Sequence, residues 1–105
     1  MSMNEFKGIG LFAWQKIITN YAIDHGFTWT TNDIDTMLLR IHGEVTEAGE
    51  AVRDNNDQEL AEELADIFIR LANTAEVMGI NLEDQVIQKH LINLKRPKLH
   101  GRAKK

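Results

Sequence analysis

Apolar residues recur every three to four positions along most of this chain, and this spacing constrains the fold more than any other feature of the sequence. The period is that of an α-helix, and no stretch alternates apolar and polar residues as a half-buried strand would. The only proline is Pro97, so no proline interrupts a helix before that position. The pattern predicts an all-α fold, a bundle of four to five helices.

Asparagines and glycines divide the periodic pattern into four predicted helices. Asn32, Asn56 and Asn81 each precede an acidic residue by three positions, which resembles a capping arrangement at a helix N-terminus. Gly26 and Gly79 follow apolar periodic segments, where a glycine commonly ends a helix. The predicted helices span about residues 8–25, 32–53, 56–78 and 81–96.

Length and composition indicate one soluble domain. The chain has 105 residues, and we expect a single helical domain over residues 1–97 followed by a basic, mobile tail over residues 98–105. There is no cysteine, which excludes disulfides and thiolate metal sites. No apolar run approaches the roughly 18 residues of a membrane span, and the first residues lack the features of a secretory signal. We therefore expect a cytoplasmic protein with no membrane partner.

The charge of the chain is distributed unevenly. Residues 95–105 carry six of the 12 lysines and arginines and no acid, so residues 1–94 carry six bases against 16 acids, a balance of −10. Broad nucleic-acid binding needs a basic surface. An acidic body argues against that function, and we expect no nucleic-acid partner. It also implies that a polyphosphate ligand would need cations to screen the carboxylates.

Two pairs of acidic residues lie on the second and third predicted helices, Glu44 with Glu47 and Glu63 with Asp66. At about 100° per residue, each pair falls on one flank of its helix's apolar stripe, which we expect to face the core. The pairs are equidistant from Asn55, so an antiparallel hairpin folded there places Glu47 beside Glu63 and Glu44 beside Asp66. The two stripes are Ile34, Met37, Leu38, Ile41, Val45, Ala48 and Val52, and Leu60, Leu64, Ile67, Leu71, Ala75 and Met78.

Four converging carboxylates require compensation. Two like charges about 4 Å apart repel by about 4 kcal/mol at an effective dielectric constant of about 20, so the group retains protons or binds a cation. Oxygen ligands suit Mg²⁺, Mn²⁺ or Ca²⁺, and Mg²⁺ commonly binds together with substrate phosphates. A di-iron bundle would call for Glu-x-x-His motifs, which the chain lacks. The other interpretation is that both pairs are ordinary solvated helix faces.

Several residues outside the acidic pairs have side chains suited to a nucleotide. Lys89, Asn93 and Arg96 share one helical face and form a row that can hold a polyphosphate, although cations are also favoured at a helix C-terminus. Trp29 lies in a polar connector, where its ring either stacks on a nucleobase or covers the edge of the core. Arg70 shares the flank of the acidic residues, where it orients a carboxylate, reaches a phosphate or forms a plain salt bridge.

The segments that carry these residues resemble the MazG-like, all-α nucleoside triphosphate pyrophosphohydrolases. The resemblance lies in "GEVTEAGEA", "EELADIFIRL" and "GINLEDQVIQKHLINLKRP", and it covers roughly residues 34–101. It implies hydrolysis between the α- and β-phosphates to a nucleoside monophosphate and pyrophosphate. It also implies a homodimer, or a tetramer built as a dimer of dimers, with sites at the subunit interfaces. Many members of this family remove noncanonical or surplus nucleotides, and we expect a deoxynucleotide substrate.

The resemblance also assigns roles to residues. It implies Mg²⁺ dependence, with Mn²⁺ as a substitute, and the four acidic residues match its metal-binding positions. Either Glu47 or Glu44 is expected to act in catalysis, with Glu47 favoured as the base that accepts the proton of the attacking water. The resemblance implies nucleotide contacts from Lys89, Asn93 and Arg96, and it places Trp29 roughly where some relatives carry a base-stacking aromatic residue. Arg70 is a further candidate substrate-binding residue because of its place on the flank of the acidic residues, not because of the resemblance.

Two other functions remain open from the sequence. Phosphoribosyl-ATP pyrophosphohydrolases share the helical core, so that compound is an alternative substrate. A non-enzymatic helical interaction module would instead use the basic tail to bind nucleic acid or an acidic partner. Such a module would bind no Mg²⁺, and its partner affinity would fall steeply with salt.

Overall fold

The computed structural model describes residues 2–98, and within that range the chain is helical and has no strand. The predicted all-α fold is therefore confirmed. Lys98 is the only residue of the predicted basic tail in this range, and residues 99–105 lie outside the described part of the chain. No helix between residues 2 and 98 is both long enough and apolar enough to cross a bilayer. The helices are α1 Met3–Phe6, α2 Leu11–Asp24, α3 Ile34–Arg53, α4 Asp57–Val77 and α5 Leu82–Leu94.

The N-terminal region differs from the single helix predicted over residues 8–25. The chain forms the short helix α1 and then turns at Gly8, whose φ of 78° favours glycine, before α2 begins at Leu11. The prediction was therefore wrong at the start of this helix. It was right at the end, because Gly26 follows α2 with a φ of 89°, the left-handed conformation that ends many helices.

Helices α3 and α4 form an antiparallel hairpin whose turn contains Asn55 in a left-handed conformation, with a φ of 55°. Asparagine adopts this conformation more readily than most residues. The side chain of Asn56 accepts a hydrogen bond from the Glu59 backbone N–H at 3.0 Å, and Asn81 accepts one from the Asp84 N–H at 3.1 Å. Both predicted N-terminal caps are therefore confirmed.

The predicted cap at Asn32 is wrong, because a 3₁₀ turn over Thr31–Asp33 precedes α3. The Thr30 hydroxyl accepts a hydrogen bond from the Asn32 N–H at 3.3 Å, and the Thr30 N–H donates to the Asp33 carboxylate at 2.8 Å. This reciprocal capping box satisfies donors that otherwise lack partners at a helix start. The regular α-helix consequently begins two residues later than predicted, at Ile34.

The apolar stripes predicted to face the core are only half buried. Four of the seven residues buried on these two helices are alanines: Ala48, Ala51, Ala72 and Ala75. Alanines allow helices to approach closely, and on α3 the buried residues lie on one flank of the predicted stripe. The larger side chains of the stripes turn outward, with exposed fractions between 36% and 58%: Leu38, Val45, Val52, Leu64, Leu71 and Met78.

A fully buried glutamine on α2 fixes the loop between α4 and α5. Gln15 donates from Nε2 to the Ile80 carbonyl at 2.9 Å and to Glu76 Oε1 at 3.2 Å. Its Oε1 accepts a hydrogen bond from the Leu82 N–H at 2.7 Å. One side chain therefore satisfies polar groups on both sides of the loop, and this network sets where α5 begins.

Replacing this glutamine by leucine is expected to destabilise the protein by about 2 kcal/mol, because a partly buried carbonyl and a partly buried N–H each lose their partner. Urea unfolding followed by circular dichroism measures the change. The matched control is Gln58→Leu at an exposed position of α4, which should change stability by less than about 0.5 kcal/mol. Equal stability of Gln15→Leu and the control would contradict a structural role for the network.

Candidate functional site

The hairpin brings the four predicted acidic residues to one place. Glu44, Glu63 and Asp66 each offer a carboxylate oxygen, and the three oxygens lie within 4.8 Å of one another. Glu47 is not part of this close group, but its carboxyl group lies beside that of Glu63, near enough for a hydrogen bond when one of the two carries a proton. We call these four residues the acidic cluster.

Helix geometry explains why the cluster is partly buried. At about 100° per residue, Glu44 lies on the same face of α3 as the buried residues Met37, Ala48 and Ala51. Glu63 is itself buried on α4. Glu47 and Asp66, by contrast, are exposed at the edge of the contact between the helices. Glu47 with Glu63 and Glu44 with Asp66 face each other across the hairpin, and each of these two pairs combines a more buried carboxylate with an exposed one. The cluster is therefore open to solvent on one side.

Crowding changes the acidity of one member. A hydrogen bond with Glu47, burial, and the negative charges of Glu47 and Glu44 together raise the pKa of Glu63 from its ordinary value of 4.5 to about 7. A carboxyl group with this pKa retains its proton through the mildly acidic range. The cluster thus relieves part of its repulsion by holding a proton, which is one of the two forms of compensation expected from the sequence.

Arg70 supplies positive charge to the same cluster. Its Nε donates to Glu44 Oε1 at 3.0 Å, and the side chain of Glu44 is only 13% exposed. A charge-assisted hydrogen bond to a largely buried carboxylate fixes its orientation. The structure therefore shows Arg70 in a salt bridge with Glu44. This arrangement is consistent with two of the three roles predicted for it, orientation of a carboxylate and a plain salt bridge.

A cavity of about 260 Å³ adjoins the acidic cluster. Asp66 lines it together with Arg40, Arg70 and Trp29. The Arg40 guanidinium lies 5.5 Å from the centre of the Trp29 ring, a cation–π distance. The lining residues are Ile18, Tyr21, Ala22, Phe27, Trp29, Arg40, Asp66, Ile69, Arg70 and Asn73.

The predicted basic row on α5 lies elsewhere. Lys89 and Asn93 line a separate groove along α5, with a volume of about 390 Å³ and no acidic-cluster residue among its lining. Arg96 follows the end of α5, and its backbone N–H donates to the Asn93 carbonyl at 3.1 Å. Within residues 2–98 of one chain, Lys89 and Asn93 therefore do not line the cavity that contains Asp66.

The sequence prediction missed seven of the residues that line the cavity, among them Phe27, Arg40 and Asn73. A signal for Arg40 was present, because Arg40 and Arg70 are each 15 residues from Asn55, as Glu44 and Asp66 are each 11 residues from it. The mirror relation that located the carboxylates would therefore also have placed the two arginines in one layer of the hairpin. No comparable signal identifies Phe27.

Fold and site together define an all-α protein with an acidic centre beside an aromatic cavity. Residues 32–101 match the model of the MazG nucleotide pyrophosphohydrolase domain. This match covers two thirds of the chain, and the protein belongs to that family. No curated protein and no solved structure matches the chain significantly. Family membership supports nucleotide pyrophosphohydrolase activity in general and use of a divalent metal.

The pKa of Glu63 predicts how the stability of the metal-free protein depends on pH. The unfolded chain releases this proton near pH 4.5, whereas the folded protein holds it up to about pH 7. The folded state therefore binds more protons between these values, and its stability should decrease as the pH rises through this window. Urea unfolding in the presence of a chelator, at several pH values from 4 to 8, measures the slope.

The glutamine of the Glu63→Gln variant is uncharged at every pH. This variant should therefore lose the part of the stability decrease that comes from Glu63. Glu62→Gln, at the exposed neighbouring position, should retain the slope of the unmodified protein. An unchanged slope in Glu63→Gln would show that Glu63 does not hold a proton in this range.

Proposed function

We propose that this protein is a Mg²⁺-dependent nucleoside triphosphate pyrophosphohydrolase that converts a deoxynucleoside triphosphate to the monophosphate and pyrophosphate. The observation that carries the proposal is the group of three carboxylate oxygens within 4.8 Å of one another. The group adjoins a cavity that is lined by both Asp66 and Trp29. Removal of noncanonical or surplus deoxynucleotides in the cytoplasm is the role we propose for this activity.

The composition of the acidic cluster fits Mg²⁺. Its ligands are all carboxylates, the hard oxygen donors that Mg²⁺ and Mn²⁺ prefer. The raised pKa of Glu63 indicates a site short of positive charge, which a divalent cation would supply in place of the proton. We propose Glu44, Glu63 and Asp66 as ligands, with Glu47 as a fourth. A bound ion would lower the pKa of a coordinated water and neutralise charge on the phosphates.

Glu47 is our candidate for the general base. It is exposed and lies beside Glu63 at the open edge of the cluster, where a water molecule has access. An ionised carboxylate in that position can accept the proton of an attacking water. Glu44 is less suited to this role, because Arg70 already engages one of its oxygens. We assign Glu44 to holding the metal.

The residues that line the cavity support one orientation of the substrate. Asp66 of the acidic cluster shares the cavity with Arg40, Arg70 and Trp29. Phosphates bound to metal at the acidic cluster would place negative charge near the two arginines. The nucleobase would then reach Trp29, whose ring supplies a stacking surface.

Assembly of two chains would complete this site. The outward-facing stripe residues of α3 and α4 form matched rows on one hairpin, and a second copy of the chain would bury them. We propose a homodimer, or a tetramer made of two dimers, in which the phosphates also contact α5 of another copy. The residues proposed for this contact are Lys89 and Asn93 on α5 and Arg96 just after its end.

Purified protein with Mg²⁺ should release pyrophosphate from deoxynucleoside triphosphates. Glu47→Ala and Asp66→Ala should each lower kcat by about 100-fold or more, since a general base and a metal ligand typically contribute on this scale. Glu50→Ala, at an exposed position of α3 three residues beyond Glu47, is the matched control and should retain activity. The panel should include phosphoribosyl-ATP, which tests the alternative substrate.

Full activity in both site variants would refute the proposed site. Absence of pyrophosphate release from every compound of the panel, with no Mg²⁺ binding by calorimetry, would favour the non-enzymatic interaction module.

Val45→Glu should dissociate the proposed dimer, because it places a charge in the centre of the outward-facing stripe, where its burial would be costly. Sedimentation velocity should show a shift to the monomer mass with little loss of helical circular dichroism. Ile23→Glu, at an equally exposed apolar position on α2, should leave the sedimentation coefficient unchanged. A monomeric unmodified protein would contradict the proposed assembly.

A further inference from the structure

Asn73 is the one amide side chain that lines the cavity beside the acidic cluster. It lies on α4 close to one turn beyond Arg70, and it also lines a small adjoining cavity with Trp29 and Met37. Apart from Asp66 and two arginines, the other side chains that line the larger cavity are apolar or aromatic. A polar group at this position is therefore well placed to distinguish one nucleobase from another, because stacking alone discriminates weakly between bases.

A threonine on α2 holds the Asn73 amide in one orientation. The Thr19 hydroxyl donates to Asn73 Oδ1 at 3.0 Å. This contact uses the acceptor side of the amide and leaves the NH₂ group as its free hydrogen-bonding side. An amide fixed in this way offers donors to a ligand.

The NH₂ group of Asn73 is accessible to a ligand. Between residues 2 and 98 no protein acceptor receives a hydrogen bond from Nδ2, and no buried side-chain nitrogen or oxygen in that range lacks a partner. Nδ2 is therefore open to solvent rather than sealed in the core. Since Asn73 lines the cavity, the cavity provides a route by which a base can reach this donor.

We infer that Asn73 determines base specificity, and that Thr19 acts as a positioning residue by presenting the amide NH₂ group to the base. The chemistry recognised is an acceptor that projects from the ring, namely a carbonyl oxygen. Cytosine, thymine, uracil and guanine carry one, whereas adenine carries none. This inference rests on the proposed function, since it takes the ligand of the cavity to be the base of the substrate.

The test measures binding and turnover separately. Calorimetry with the α,β-methylene analogues of the four deoxynucleoside triphosphates gives base preference without hydrolysis, and pyrophosphate release from the natural compounds gives kcat/KM for each base. The unmodified protein should favour the best carbonyl-bearing base over adenine by about tenfold. This is the scale of one neutral hydrogen bond whose donor is solvated by water when the bond is absent. Asn73→Leu should reduce this ratio to near one.

Further variants distinguish specificity from a structural effect. Asn73→Asp presents acceptors in place of donors and should move preference away from thymine, which carries no amino group, towards the bases that carry one. Thr19→Val frees the amide to rotate and should reduce the ratio, and Thr19→Ser, which keeps the hydroxyl, should restore it. Asn20→Asp adds the same charge at an exposed position of α2 and should leave the ratio unchanged.

Three results would overturn the inference: a preference for adenine in the unmodified protein, an unchanged ratio in both Asn73 variants, or no binding of any analogue. Binding with the expected preference but without pyrophosphate release would refute the proposed function and leave base recognition by Asn73 supported. Hydrolysis with an unchanged ratio in the Asn73 variants would refute base recognition alone.

Discussion

The close approach of carboxylates across the α3–α4 hairpin is the interaction on which the rest of the site depends. Glu44 and Glu63 lie inside the helix contact, where repulsion between like charges is least screened. Folding brings them together because the packing of two 20- and 21-residue helices outweighs the local electrostatic cost. Arg70 and the proton on Glu63 offset part of that cost. The crowding of these carboxylates is what supports the proposal of a cation at this place.

The same requirement explains the unusual distribution of apolar surface. Two helices that must bring carboxylate oxygens within 4.8 Å need small residues at their contact, and alanines occupy most of the buried positions. Alanine buries little area, so the contact contributes less hydrophobic stabilisation than leucines would. The leucines and valines of both helices instead lie on the outer face. A chain of 105 residues that places its larger apolar side chains outward favours association with another copy.

Short-range rules predicted the hairpin and its contents well. The helix period gives angles, and a turn of few residues fixes the register between antiparallel helices, so the positions of Glu47 and Glu63 relative to one another followed from counting residues. The asparagine caps at Asn56 and Asn81 followed from local hydrogen bonding. Counting could not predict which flank of each stripe packs, because that choice depends on side-chain volume. Counting also could not predict where Lys89 lies relative to the cavity. The Gln15 network that positions α5 joins residues more than 60 positions apart.

The separation of Lys89 from Asp66 within one chain bears on how activity would be controlled. The acidic cluster and the residues that line the adjoining cavity come from the hairpin, from α2 and from the connector between α2 and α3. Lys89 and Asn93 lie along a different groove. If another copy provides them, the phosphates are held fully only in the assembled protein, and an isolated chain would bind nucleotide weakly. Assembly would then confine hydrolysis to the oligomer, because the charge that offsets the developing negative charge on pyrophosphate arrives with the second chain.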